Sequence, residues 1–256
     1  MLTVPSIIEA HAIEVLRQEE LEEARSIQSV MLPPATLRSG SITIAHEFQP
    51  VHGVGGDFLD YFQLGDGCVG LYIGDVSGKG LPAAMYATLA VGILRGIHKT
   101  GKAPSQVLSI LNQRLTSRGI LRRHAATQYA VFNPKNLEMT IASAGMPSPI
   151  HFSGNGWRVL NVSGIPPGLF PNADYDSATI TIQPGDSILF SSDGIVEAQN
   201  ARYEDFGIAR LIKICRAGTE LTPSELLRRI FSEVHSFTEA IQQHDDMAAA
   251  IFHLAR

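Results

Sequence analysis

Apolar side chains recur at helical spacing from residue 6 to residue 31, first as Ile8, Ala12, Val15 and Leu16, then as Leu21, Ala24, Ile27 and Met31. The spacing predicts one helix, with Ser6 as its cap and Pro33-Pro34 as its stop. Arg17, Gln18, Glu19 and Glu20 interrupt the stripe, which argues for two apolar patches rather than a continuous coiled-coil seam. The second patch is expected to dock on the domain that follows, and the first to pair with a second copy of the chain. Beyond Pro34 the period shortens. Strands are predicted at 41–48, 58–64 and 68–75, with Gly65-Asp66-Gly67 as a hairpin turn. Helices follow at 81–99 and 105–118, separated by Gly101 and Pro104. Strands resume at 127–132, 138–143, 150–152 and 157–162, then, after an irregular stretch rich in glycine and proline, at 177–182 and 187–192. Two more helices, 207–217 and 223–240, precede a last strand at 247–254. Strands in blocks with paired helices between them indicate an α+β domain, most simply two antiparallel sheets with helices outside.

Composition narrows the class without choosing a function. The chain has 256 residues, 45% apolar and 18% charged, which excludes a disordered, collagen-like or disulfide-framework protein. No apolar run reaches the length of a membrane span, and the first residues lack a basic region followed by an apolar stretch. Cys68 and Cys215 lie far apart, which suits a reducing cytoplasm. The net charge of −5 argues against a nucleic-acid partner. Its distribution says more: residues 76–137 hold nine Lys and Arg and no Asp or Glu, so the other eleven basic residues face all 25 acidic ones. An acidic site for metal and a basic surface for an anionic partner would both follow, as would two solvated helix faces.

The candidate chemistry lies where strands begin or end. Asp57 follows Gly55-Gly56, Asp75 follows Gly74, Asp193 precedes Gly194, and Asp245-Asp246 open the last strand. Any one of these could simply cap a turn. Four converging from separate strands would repel one another unless cations neutralised them, and hard oxygen donors suit Mg²⁺ or Mn²⁺. Two such ions would acidify a water and aim it at phosphorus. Competing motifs fail: a phosphate loop ending at Gly78-Lys79 needs a glycine where Ile73 stands and Ser or Thr where Gly80 stands. Gly78-Lys79-Gly80 also lacks the acidic residue that a dinucleotide fold places about twenty positions on.

In this order the motifs ARSIQSVMLPP (24–34), VGGDFLDYF (54–62), GDVSGKGLP (74–82), PGDSILFSSDGIVEA (184–198) and Asp245–Met247 resemble the metal-dependent serine/threonine phosphatases. The closer resemblance is to their bacterial stage II sporulation protein E branch, related to the type-2C enzymes. It implies an α-β-β-α sandwich of two antiparallel sheets flanked by helices. Residues 1–34 would be an N-terminal linker helix and residues 35–256 the phosphatase domain. It further implies two Mn²⁺ or Mg²⁺ ions, held by Asp57, Asp75, the Val76 carbonyl, Asp193 and Asp245, with Asp75 bridging them and Asp246 behind the ligands. Asp57, Asp75 and Asp193 are the residues expected to carry catalysis by metal-activated water, without a covalent phosphoenzyme. The implied substrate is a phosphoserine or phosphothreonine protein of the anti-sigma-factor-antagonist type, in a partner-switching pathway. A homodimer and an upstream sensory module are expected, with no nucleic acid and no membrane. A non-catalytic module that sequesters a regulator and a small-phosphoester hydrolase are the alternatives. One departure stands out: Met146 replaces the branch's usual His. The branch itself differs from the larger type-2C enzymes in lacking a phosphate-binding arginine near the start, and no motif arginine precedes Asp57 here, which leaves the substrate phosphate to the metals and Lys79.

Overall fold

The computed structural model describes residues 7–117, 119, 123–239, 241 and 243–256. Ser6, expected as a cap, lies outside the described residues, as do Arg118 and Ala240 at two expected helix ends. Helix α1 (Ile7–Met31) leads into β1 (Thr36–Ser39), β2 (Ile42–Gln49), β3 (Phe58–Gln63) and β4 (Val69–Val76). Helices α2 (Leu81–Ile97) and α3 (Pro104–Thr116) follow, then β5 (Ala125–Asn133), β6 (Glu138–Ala144), β7 (Ile150–Ser153), β8 (Gly156–Val159), β9 (Ala178–Thr181) and β10 (Ser187–Ser191). A single turn, α4 (Asp193–Val196), precedes α5 (Gly207–Ala217), α6 (Pro223–Thr238) and β11 (Met247–Leu254). The strands form two antiparallel sheets, ordered β1-β2-β11-β10-β7-β8 and β3-β4-β5-β6-β9.

Both faces of each central strand are apolar, and each face has its own core. On β4, Leu71 and Ile73 turn towards the other sheet, while Tyr72 and Val76 turn towards α2 and α3. On β11, Ala248 and Phe252 face between the sheets, and Ala249 and Ile251 meet α5 and α6. The Phe132 and Phe252 rings cross the gap between the sheets with centroids 4.9 Å apart. Period-two alternation with no polar face thus places each sheet between a partner sheet and a helix pair. The outer helices begin where their sequences say they should. Proline occupies the first turn of α2, α3 and α6, and Thr222 and Glu225 close a reciprocal cap on α6.

Three expectations change in detail. Residues 65–67 do join the hairpin of β3 and β4, as a 3-10 turn in which Asp66 takes a left-handed φ of 62°. The strand expected at 157–162 is the shorter β8, and β1, with Leu37 as its one large apolar side chain, was not expected. The docked face of α1 also differs. Leu21, Ala24, Gln28 and Met31 are half-buried, whereas Ile27, expected among them, is 60% exposed. One residue is about 100° of helix rotation, and the face is set by Gln28. The C-terminal end of α1 is fastened to α2 by Arg95, which donates to the Met31 carbonyl (2.6 Å) and to Asp60 Oδ2 (2.8 Å). Residues 11–20 are exposed throughout, Val15 and Leu16 included.

Candidate metal and phosphate site

The start of β3 pairs with the end of β4, through Phe58 and Gly74, and the end of β10 pairs with the start of β11, through Ser191 and Ala249. Those four strand ends bring Asp57, Asp75, Asp193 and the Asp245-Asp246 pair to one end of the sandwich. Asp57 is 2% exposed and its Oδ2 is buried without a hydrogen-bond partner. Burial, then the charges of Asp75, Asp246 and Asp193, push its carboxyl well above the usual range, and the Ser192 hydroxyl opposes the shift. Asp75 is pushed up to about 7, first by burial and then by Asp193 and Asp245. Asp193 is raised by burial and by Asp245, with the Gly194 N–H and the Lys79 charge working against the rise.

Asp246 is the exception in its role. Its carboxylate accepts from the backbone N–H of Val51 at 2.8 Å and of Gly56 at 2.6 Å, so it grips the loop that delivers Asp57. Asp245, one residue earlier, keeps a side chain 42% exposed and pairs with Lys79 Nζ at 3.1 Å. Gly194 is required by contact: a Cβ there would lie 2.0 Å from the Asp246 carbonyl oxygen. Any side chain would pry Asp193 away from Asp245.

Among the described residues, no three His, Cys, Asp or Glu side chains close tightly round a single point. The carboxylates are neighbours through their charges rather than a finished cage. Their chemistry nevertheless fits hard divalent cations: all donors are oxygens, and the deepest of them has nothing to bond. Beside Asp193 and Asp245 opens a cavity of about 530 Å³, bounded by Glu197, Asp205, His235, Glu239 and Gln243. Burial and the charges of Asp193, Asp205 and Asp245 raise the Glu197 carboxyl.

Two residues at this end were not singled out from the sequence. Gln28 on α1 pairs with both backbone groups of Gly55, donating to its carbonyl at 2.7 Å and accepting from its N–H at 3.0 Å. Helix α1 therefore touches the Asp57 loop directly. An amide on the face that buries Leu21, Ala24 and Met31 was the available signal. Arg123 donates to the Ser77 carbonyl at 2.6 Å and so holds the loop after Asp75. Met146, by contrast, packs in the core between the sheets, so the departure there is a matter of packing.

The family model described as stage II sporulation protein E matches residues 65–255. Protein IcfG of Synechocystis sp. is 26% identical over 272 aligned positions, covering 95% of this chain and 43% of IcfG. Phosphoserine phosphatase RsbU of Bacillus subtilis is 25% identical over 240 positions, covering 91% of this chain and 70% of RsbU. The chain thus spans less than half of one of these relatives. Among solved structures, the SiaA-PP2C domain of Pseudomonas aeruginosa superposes with a TM-score of 0.84 at 22% identity, covering 94% of this chain and 98% of that domain. That likeness bears out the α-β-β-α sandwich.

Proposed function

The chain belongs to the stage II sporulation protein E family, and from that premise we propose that it is a Mn²⁺- or Mg²⁺-dependent phosphoprotein phosphatase. Its substrate is phosphoserine or phosphothreonine in a regulatory protein of the anti-sigma-factor-antagonist kind. The observation that carries the reading is the meeting of Asp57, Asp75, Asp193 and Asp245 from four strand ends, with the deepest oxygen unpaired. The name of RsbU, a phosphoserine phosphatase, agrees with it.

Asp57, Asp75, the Val76 carbonyl, Asp193 and Asp245 would hold two cations, with Asp75 shared. Bound divalent cations supply the positive charge that anchors a phosphate and makes a water acidic enough to attack it. The protein's own part is placement. Asp246 fixes the Asp57 loop from one side and Gln28 from the other. Neither cysteine suits a covalent phosphoenzyme. Cys215 is buried under α5 with its thiol pushed up to about 12, and Cys68 precedes β4, whose other end carries Asp75. The cavity beside Asp193 and Asp245 gives a phosphorylated segment a place to lie.

In the same reading the protein is a homodimer through the first half of α1, where Val15 and Leu16 are exposed, and signals reach the site along that helix. The deciding experiment is hydrolysis of an aryl phosphate, then of a phosphoserine protein, with Mn²⁺, Mg²⁺ or a chelator. Turnover that needs the metal is expected. Tight Mn²⁺ binding without turnover would turn the reading to a non-catalytic module of the same fold.

A further inference from the structure

Lys79 reaches from the glycine loop back to the carboxylates. Its ammonium lies 3.1 Å from Asp245 Oδ2 and also donates to the His244 carbonyl, so both partners belong to the segment that opens β11. The loop is shaped to present it. Gly78 and Gly80 take φ of +94° and +69°, a conformation side chains disfavour, and Arg123 pins the Ser77 carbonyl at the loop's base. A Cβ on Gly78 would come within 2.8 Å of Arg123 Nη1, so the guanidinium and the loop are fitted to each other. The lysine itself is 46% exposed and carries a flexible stem, which leaves its head free to move while its base stays fixed.

We propose that Lys79 is an exchangeable counter-ion: its ammonium pairs with Asp245 until a divalent cation takes that carboxylate, and once displaced it binds a phosphate oxygen of the substrate. The proposal rests on the phosphatase reading for its second half only. An exposed lysine–carboxylate pair is weak, so an ion of twice the charge displaces it. The released ammonium then has three donors beside a site that concentrates anionic phosphate. No motif arginine precedes Asp57 to do that work, and Arg123 is committed to Ser77.

The two halves predict opposite signs for one substitution. In Lys79→Met, Mn²⁺ should bind the chelator-treated full-length chain about tenfold more tightly by calorimetry, because a competing positive charge is gone. The KM for p-nitrophenyl phosphate with saturating Mn²⁺ should rise about fivefold to tenfold, with kcat less affected. A lysine that merely props up the loop would weaken both. Lys79→Arg keeps the charge and should hold Mn²⁺ affinity within about twofold of the parent. If Lys79→Met fails to fold by circular dichroism, Lys79→Gln is read in the same way. Unchanged or weaker Mn²⁺ binding in the folded neutral variant overturns the counter-ion. Unchanged KM overturns the phosphate contact. A parent chain that binds Mn²⁺ without hydrolysing the aryl phosphate would count against the phosphatase reading, and calorimetry would still decide the counter-ion.

Discussion

The two sheets bring unlike carboxylates to the same place. From β3 and β4 come Asp57 and Asp75, deep, crowded and shifted towards protonation. From β10 and β11 come Asp193 and Asp245, nearer the surface, with Asp245 already facing a cation in Lys79. Among the described residues no ion pair reaches the inner pair, whereas Asp245 of the outer pair has Lys79. A site built this way separates two demands. On the proposed reading its inner half stores a repulsion that a metal would relieve, and its outer half exchanges partners with solvent and substrate. The inner half also answers to α1 through Gln28 and Gly55, whereas the outer half answers to the Ser77–Gly80 loop.

The sharpest way to break this contrast is at Asp75. Asp75→Asn keeps the size and removes the shared charge, so metal-dependent turnover should fall at least about a hundredfold. Near-parental turnover at saturating Mn²⁺ would show that Asp75 is not the shared ligand. A second test uses stability. The folded-state values of Asp57 and Asp75 lie above the unfolded carboxylate value, so the metal-free fold binds more protons than the unfolded chain from roughly pH 4 to 7. Stability from these groups is present at the acid end and lost as pH rises through about 7. With chelator, the melting temperature should therefore fall between pH 5.5 and 8 more in the parent than in Asp75→Asn. Saturating Mn²⁺ should restore it, at about 2–4 °C for each kcal/mol of binding free energy.

Smaller effects sharpen the same comparison. Gln28→Ala strips two partners from the Gly55 backbone, and a buried peptide group left unpaired costs about 1–3 kcal/mol. Mn²⁺ affinity should drop about tenfold while global melting moves little, since the loss is local. Equal losses in both would mean that Gln28 only supports the fold. Deleting residues 1–20 removes exposed Val15 and Leu16 and leaves the docked Leu21–Met31 face in place. Light scattering at tens of micromolar should then report a folded monomer in place of a dimer. A monomeric parent at that concentration would refute pairing through α1. The least effect is expected from Asp66→Asn, whose partner is Lys135 at 2.8 Å on an open surface. Activity within about twofold of the parent makes it the control.

Much of this was legible in the chain because both signals are local. Alternation in residues 69–76 and 247–254, with no polar face, describes strands covered on both sides, and aspartate beside glycine at their ends marks where a ligand can come close. What stayed hidden depends on residues far apart in sequence. Asp245 and Asp246 are consecutive and chemically identical. The resemblance ranks Asp246 behind the ligands, but the residues themselves do not show why: the N–H groups that Asp246 clamps, on Val51 and Gly56, lie some 190 positions earlier, while Asp245 meets Lys79 instead. The single turn α4 was missed because Gly194 reads as a loop, although its lack of a side chain serves the contact with Asp246. Ile27 was misplaced for a similar reason: hydrophobicity alone cannot reveal that an amide has a backbone waiting for it.

Strand order has a consequence for how the protein is made. β11 lies between β2 and β10, yet it follows every other strand among the described residues. Until residues 247–254 leave the ribosome, β2 and β10 each show an unpaired edge, the sort that recruits the wrong neighbour. The carboxylate pair at 245–246 immediately precedes that strand. A nascent chain therefore cannot complete its fourth corner of acid groups before its sheet is closed. On the proposed reading, closing the sheet and placing the fourth carboxylate are one event, and a chain in which β11 has not paired would lack a complete site.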